Sequence, residues 1–269
     1  MFWEDLREPE FRKIVKETEA ICIIPLGAVE RHGPHLPLGT DVFNIRHIAK
    51  LATDIEPAVI YPYLPFGLIA EASHYPGTIV LDGHFLMQLL DNICKDVARN
   101  GFKKIIILNG HGTNPQMLEA FTLFQLKEPR DYAVYIYDML NSIRDDSVFA
   151  AKLKELFKGH TEDGHAGNFE TSMIKCVRPG LVDMDSASDD SPTAMKRLPF
   201  LQEHGIFNSM FWYADYPYHY SGDPSNSSKE AGEWIFEHLS KKFAAAIKAI
   251  REDKEVARLM AEFYGKREH

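Results

Sequence analysis

Short apolar runs along the chain mark the strands of a parallel sheet. They are AICIIPLG at 20–27, KKIIILNG at 103–110 and YAVYIYDML at 132–140. A continuous apolar run that ends in Gly or Pro is typical of a strand covered on both faces, and the first two runs have this form. We therefore predict that 20–27 and 103–110 are core strands and that 132–140 is a further strand.

Helical patterns alternate with these runs. One helix is predicted over residues 84–101, where apolar residues form a single stripe and Gly101 is placed to end the helix. Another begins near Pro115, and a long helical pattern covers Ser227 to about Arg267. Strand and helix in alternation favour βαβ units with right-handed crossovers. The predicted fold class is α/β, a three-layer α/β/α arrangement with a mostly parallel sheet, in one domain spanning 1–269.

Composition and charge exclude several classes of protein. The formal net charge is −9, with 39 acidic and 30 basic residues, and the basic residues are dispersed. Such a surface repels phosphate backbones and anionic lipids, so we expect neither nucleic acid nor membrane as a partner. The three cysteines form no CxxC pair, which argues against a disulfide framework and a thiolate zinc site. The charged beginning, MFWEDLREPE, does not resemble a signal peptide, so we expect a cytoplasmic protein.

The stretch PLGAVERHGPHLPLGTD, residues 25–41, follows the first predicted strand. Residues two apart in an extended segment point to the same side, so Glu30 and His32 can aim a carboxylate and an imidazole at one point. A turn containing Pro and Gly can bring Asp41 back to the same place. The alternative for Asp41 is a plain helix N-cap.

Two later segments add candidate residues. His111, in NGHGTN at 109–114, also follows a core strand, although a lone His in a Gly-rich turn is often only structural. His165 and Glu170 lie in GHAGNFETS, and a turn followed by a helix start is needed to make them converge. Glu170 is equally well explained as an acid favoured by the dipole at the first turn of a helix.

Carboxylates and histidines together form a mixed nitrogen and oxygen donor set. Such a set suits zinc, manganese or iron(II) rather than calcium. Two divalent ions that share a carboxylate can activate water and polarise a scissile carbonyl, which is the chemistry of hydrolysis. Asp41 is the natural bridging carboxylate. We therefore predict two divalent metal ions, zinc and/or manganese, as cofactors.

The motifs ExHGPHLPxGTD, NGHGxN and HAGxxETS, in this order, resemble those of the creatininase (creatinine amidohydrolase) family. The resemblance implies a three-layer α/β/α fold, a hexamer and a two-metal centre that hydrolyses amides. It implies that Glu30, Asp41 and His111 hold one ion, and that His32 and Asp41 hold the second. It also implies that His165 is the catalytic histidine, a proton donor or shuttle.

Two departures count against creatinine as the substrate. Creatinine-hydrolysing members have a Glu at the position of Thr113, and they grip the substrate with a pair of tryptophans around the catalytic histidine. This chain has no Trp between Trp3 and Trp212. Glu170 is then the best candidate to complete the second metal site.

Three residues outside the predicted metal ligands are candidates for binding the substrate. The candidate substrate-binding residues are His74, which begins a weaker echo of the family at HYPGTIVL, Thr113, and Trp212. Trp212 belongs to an aromatic-rich stretch, residues 200–220, which either covers a pocket or packs on itself or on a neighbouring subunit.

Taken together, these residues predict a metal-dependent hydrolase that cleaves an amide-like C–N bond of a small molecule, and a homo-oligomer. The alternatives on the same site are a deformylase or a peptidase of cofactor biosynthesis. An alternative of another class is a catalytically silent homologue that binds a small molecule or serves as a scaffold.

Overall fold

The centre of the molecule is a four-stranded sheet in which all neighbours are parallel. The structure is a computed structural model, and it describes residues 1–160 and 163–267. Along the sheet the strand order is β2-β1-β3-β4. The strands are β1 (Ile21–Leu26), β2 (Val59–Ile60), β3 (Lys104–Asn109) and β4 (Ala133–Asp138).

Both faces of the sheet are covered by helices. Side chains alternate along β1, so that Ile21 and Ile23 enter one core while Cys22 and Ile24 enter the other. The first core is closed by α2 (Thr40–Ile55), α7 (Asn168–Val177) and α10 (Lys229–Glu252), and the second mainly by α1 (Glu8–Glu17), α3 (Gly83–Arg99) and α4 (Asn114–Gln125). The predicted three-layer α/β/α fold is confirmed.

Shorter helices and one terminal helix lie outside these layers. They are α5 (Met139–Ile143), α6 (Ser147–Leu156), α8 (Pro199–Gln202), α9 (Phe211–Asp215) and α11 (Glu255–Gly265). Single turns of 3₁₀ helix occur at Trp3–Asp5, Ala70–Ala72, Pro179–Leu181 and Met184–Ser188. Within the described ranges, no helix is long and apolar enough to cross a membrane.

Strand order creates a crevice at one edge of the sheet. From β1 the chain passes through α2 to β2 on one side, and then through α3 to β3 on the other side of β1. The connections from the carboxyl ends of β1 and β3 therefore leave in opposite directions. Ligands of open parallel sheets bind at such a switch point.

Helix α10 is anchored to the sheet at its end. The ammonium of Lys104, at the start of β3, donates to the carbonyl oxygens of Ile250, Arg251 and Asp253 at 2.6, 2.8 and 2.7 Å. At the other end of α10, a Cβ at Gly232 would clash with the carbonyl oxygen of Ser172, so glycine permits close approach to α7. Helix α10 thus covers much of the first core.

The elements differ from their predicted bounds at several ends. The run 132–140 leaves the sheet at Asp138, because this carboxylate accepts the amide of Asn141 and begins α5. The long helical pattern breaks at Asp253, which caps α11 through the amide of Glu255. Gly101 has a φ of +103°, as expected of a residue that ends a helix.

Candidate metal centre

The loop after β1 is closed by its own backbone. The amide of Glu30 donates to the carbonyl of Leu38 at 3.0 Å, and His32 and Leu36 form an antiparallel bridge. Gly33 turns the loop with a φ of +58°, in the left-handed region that favours glycine. These contacts return the chain to α2, which carries Asp41 in its first turn.

His32 and Asp41 face each other at the bottom of the crevice. The Nε2 atom of His32 lies 3.0 Å from Oδ1 of Asp41. The Nδ1 atom lies 3.2 Å from the backbone oxygen of Glu30. Both side chains are buried, with His32 fully inaccessible and Asp41 4% exposed.

His111 meets the same carboxylates from the end of β3. The amide group of Asn109 brackets the backbone of His111, accepting its N–H at 3.2 Å and donating to its carbonyl at 2.9 Å. This bracket turns Nδ1 of the ring towards Oε1 of Glu30 at 2.8 Å and Oδ2 of Asp41 at 2.9 Å. The opposite nitrogen, Nε2, faces the carbonyl of Leu68 at 3.1 Å and the hydroxyl of Thr113 at 2.8 Å.

The hydrogen-bond partners of the two rings indicate a cation site. A carbonyl oxygen only accepts, so Nδ1 of His32 and Nε2 of His111 carry the ring protons. In a neutral ring the other nitrogen then aims a lone pair at carboxylate oxygens, which is unfavourable without a proton or a cation between them. Oε1 of Glu30 is also buried and accepts no hydrogen bond from residues 1–160 and 163–267. This donor set fits a divalent ion.

The pKa shifts express the same excess of negative charge. Burial alone would lower the pKa of His32, but the charges of Asp41 and Glu170 outweigh it and raise this pKa to about 10. The pKa of His111 is likewise raised, against the effect of burial, by Glu30 and Asp41. Burial also opposes ionisation of Glu30 and Asp41, but the neighbouring histidines keep the pKa of both carboxyls below the usual value.

Among the described residues, potential ligand atoms form three groups, of which two share Asp41 and the third consists of Glu30, His32 and His165. Glu30, Asp41 and His111 form the first group, and His32, Asp41 and Glu170 form the second. Within each group the ligand atoms lie no more than 4.8 Å apart. Asp41 is common to both of these groups.

Glu170 makes one contact that fits an acid at a helix start and one that fits a metal ligand, the two roles that the sequence left open. Its Oε2 accepts the amide of Ala166 at 2.5 Å, as expected of an acid at the start of α7. The same oxygen lies 3.9 Å from Nε2 of His32. Burial raises the pKa of Glu170 to about 7.

His165 stands beside His32 with one nitrogen pinned. Its Nε2 donates to the carbonyl of Arg31 at 2.7 Å, and its ring centroid is 4.2 Å from that of His32. Ala166, with a φ of +62°, makes the turn that lets His165 and Glu170 converge. Burial, and then the positive charge of His32, lower the pKa of His165 to about 3, so the ring is neutral and Nδ1 carries no proton.

A cavity of about 540 Å³ lies over these residues. Its main polar lining residues, here called the polar wall, are Glu30, Asp41, His111, His165, Glu170 and His219. Its main apolar lining residues, here called the apolar wall, are Met139, Leu140, Ile143, Phe149, Leu153 and Phe169.

The three candidate substrate-binding residues are placed differently. Thr113 and Trp212 line the cavity, and the Trp212 ring centroid is 5.9 Å from that of His165. His74 is exposed, does not line this cavity, and is bonded through Nε2 to the carbonyl of Pro217 at 2.9 Å. The role assigned to His74 therefore has no support from its position.

Sequence reasoning missed His219. Its side chain is 2% exposed, and its Nε2 lies 2.5 Å from Oε2 of Glu30 although the two residues are 189 positions apart. The only signal was the neighbouring SGDPS segment at 221–225. Asp163 was also missed: it lines the cavity, and burial raises its pKa to about 6.

A family model described as creatininase, creatinine amidohydrolase, matches residues 4–247. The chain therefore belongs to the creatininase family. It is 28% identical over 202 residues to the creatinine amidohydrolase of Pseudomonas putida, a match that covers 71% of this chain and 77% of the relative. The mycofactocin precursor peptide peptidase of Mycolicibacterium smegmatis is 25% identical, with 87% of each chain covered. The 3-dehydro-scyllo-inosose hydrolase of Thermotoga maritima is 25% identical, covering 83% and 70%.

Solved creatininase structures share the fold. A structure titled creatininase Mn has a TM-score of 0.77 at 24% identity and covers 94% of this chain and 99% of its own. A mutant creatininase described as of Zn-Zn type has the same TM-score and identity and covers 94% and 98%. The named relatives are hydrolases, but their names give different substrates.

Proposed function

We propose that this protein is a metal-dependent hydrolase that cleaves an amide-like C–N bond of a small molecule. The observation that carries the proposal is the pair of ligand groups sharing Asp41, in which one ring nitrogen of His32 and one of His111 each face carboxylate oxygens. Glu30, Asp41 and His111 would hold one ion, and His32, Asp41 and Glu170 the second. Zinc or manganese fits this donor set, and both appear in the titles of related structures.

Divalent ions in such a site make water a nucleophile near neutral pH and polarise a carbonyl group. His165 supplies the proton transfer. Its Nδ1 accepts the proton that water gives up as its oxygen adds to the carbonyl carbon, and then delivers it to the leaving nitrogen as the C–N bond breaks. The hydrogen bond to the carbonyl of Arg31 keeps the ring in this orientation.

The apolar wall indicates that the substrate has an apolar part in addition to its scissile bond. Ile143, Leu153 and Phe169 line the same cavity as the ligand residues, so a substrate with an apolar part beside its amide would fit it. Thr113 lies behind the His111 ring, on the side away from Glu30 and Asp41. Creatinine-hydrolysing members of the family have a Glu at this position, and the hydroxyl of Thr113 does not supply the missing carboxylate. We therefore do not propose creatinine as the substrate.

A peptidase on the same site is the second candidate, because the peptidase relative is matched over 87% of both chains. A deformylase, and a silent homologue that binds a small molecule, are the remaining alternatives. The homo-oligomer and the small-molecule partner predicted from the sequence remain proposals.

The deciding experiment is a screen of the protein after chelation and reloading with zinc or manganese. We expect about two ions per chain by metal analysis, and turnover of at least one member of a panel of formamides, cyclic amides and short peptides. Turnover of peptides alone would favour the peptidase. Two bound ions without turnover would favour the silent homologue, and a protein that takes up neither metal would contradict the proposal.

A further inference from the structure

We propose that Trp212 and His219 form a positioning relay that holds the Glu30 carboxylate ready for a metal ion. We call these two side chains the indole–imidazole relay. The relay rests on the metal centre proposed above, and it assigns a role to two residues that are not themselves metal ligands.

Donor and acceptor chemistry fixes the direction of the relay. The indole Nε1 of Trp212 lies 2.7 Å from Nδ1 of His219. An indole N–H can only donate, so Nδ1 of His219 accepts and the imidazole carries its proton on Nε2. That nitrogen then donates to Oε2 of Glu30 at 2.5 Å.

The relay occupies one oxygen of Glu30 and leaves the other free. Oε2 accepts a hydrogen bond from the imidazole N–H. Oε1 is buried, accepts no hydrogen bond from the described residues, and lies 2.8 Å from Nδ1 of His111. Fixing one oxygen sets the torsion of the carboxylate, and with it the direction of the lone pairs on Oε1. A carboxylate ligand oriented in this way loses less conformational freedom when an ion binds.

The backbone of His219 indicates that this position is constrained. Its φ is +49°, in the left-handed region where a residue other than glycine is uncommon. The conformation is held by the amide of His219, which donates to Tyr216 at 3.0 Å, and by its carbonyl, which accepts from Gly33 at 3.4 Å. Backbone outliers that are held from several sides cluster at functional sites. The bond to Gly33 also ties the relay to the loop that carries His32.

Trp212 lines the cavity as well as donating to His219. A molecule in the cavity that contacts the indole therefore touches the first member of the relay. The consequence is that the aromatic helix α9 and the metal ligands form one connected unit.

The test is metal affinity, measured with zinc or manganese alone in competition with a chromogenic chelator. We expect His219→Ala to weaken binding of one ion by ~10- to 100-fold, the usual effect of removing a partner that orients a ligand. His219→Gln places an amide N–H near the position of Nε2, so it should recover most of the affinity. Trp212→Phe should fall between these variants, because His219 then loses its fixed tautomer.

Trp3→Phe is the matched control, since Trp3 packs against Phe11 and Tyr61 in the second core, away from the cavity. It should bind both ions with the affinity of the parent. Circular dichroism checks that each variant folds, and if His219→Ala does not fold, the Gln and Phe variants still decide the question. Parental affinity in both of these would overturn the relay and leave the metal centre standing. A parent protein that binds no ion would overturn the metal centre and the relay together.

Discussion

The two walls of the cavity are built in contrasting ways. The polar wall includes Glu30, Asp41 and His111, which lie beyond the carboxyl ends of β1 and β3 and are each at most 5% exposed. The apolar wall comes largely from α5 and α6, each of which buries a single residue, and Leu140 there is 43% exposed. The polar wall is thus fixed by the sheet, while the apolar wall stands on lightly anchored helices.

Under the proposed function, this contrast would separate the reacting groups from the groups that select the substrate. Groups held at strand ends in a packed interior keep the geometry that a metal and a proton carrier require. A wall of short outer helices can change its side chains without disturbing the sheet.

The largest effect is expected at the residue shared by both ligand groups. Asp41→Ala should abolish hydrolysis and remove most bound metal, because loss of a bridging carboxylate harms both ions at once. Asp54→Ala, an exposed change on the same helix, is the control for the effect of losing a carboxylate. Two ions per chain in Asp41→Ala, measured by metal analysis after gel filtration, would refute the bridging role.

Next in size is the loss of the proton carrier. His165→Ala should keep both ions and lower kcat by ~10²- to 10⁴-fold, the range for removing a positioned general acid or base. The exposed His84→Ala should leave kcat unchanged. Loss of metal would instead make His165 a ligand, which its position near Glu30 and His32 permits.

The second metal site gives a smaller and more selective prediction. Glu170→Gln should leave about one tightly held ion per chain, since an amide lacks the charge that this site needs. Glu230→Gln, in the first turn of α10, is the matched control for a change at a helix start. Titration with zinc or manganese measures the number and affinity of bound ions in both variants. Two ions of parental affinity in Glu170→Gln would rule out the ligand role and leave only the hydrogen bond to Ala166.

A change on the apolar wall should alter substrate preference and spare the metal. Ile143→Ala should raise KM by ~10-fold for the preferred substrate with little change in kcat, because it removes apolar contact made equally before and during reaction. Val148→Ala, on the neighbouring helix but 66% exposed, should change neither. Altered metal content in Ile143→Ala would break the proposed separation of the two walls.

The smallest effect concerns the support behind the polar wall. His35 is 1% exposed and contacts Thr171 of α7 at 2.9 Å, and burial lowers its pKa to about 4. An unfolded His titrates near 6.5, so the stability from the neutral ring is present above that pH and is lost as pH falls towards 4.

The corresponding variant is His35→Gln, which cannot titrate. The free energy of unfolding in urea should fall less steeply for this variant between pH 6.5 and 4, by about 1–3 kcal/mol, given ~1.4 kcal/mol per pKa unit. His84→Gln is the exposed control. Identical slopes in parent and His35→Gln would contradict the assignment.

The sequence predicted the fold because its local signals were strong. The apolar runs at β1 and β3 and the stop at Gly101 each carry their own pattern. The two-residue strand β2 was missed, since Val59 and Ile60 are too few to show periodicity and owe their state to pairing with β1. Strand order likewise depends on packing between distant segments.

For the site, convergence could be predicted where the candidate residues share one stretch of chain. Glu30, His32 and Asp41 all lie in residues 30–41, and the structure brings their side chains close together. His219 comes from a left-handed position far along the chain, and no local pattern connects it with Glu30. His74 is the opposite case, because its segment resembles the family although its side chain does not line the cavity. Its neighbour Tyr75 stacks under the Arg31 guanidinium at 4.0 Å.

The anchoring of α10 has a consequence for the order of events during synthesis. Lys104 finds its carbonyl partners only at residues 250–253, and α10 covers the core that α2 and α7 share. Contacts between such distant segments form late, and apolar surface stays exposed until they do. The ribosome must therefore release the chain through about residue 253 before α2 and α7, with Asp41 and Glu170 at their starts, are covered by α10. Until then the apolar face that these helices share stays open to solvent.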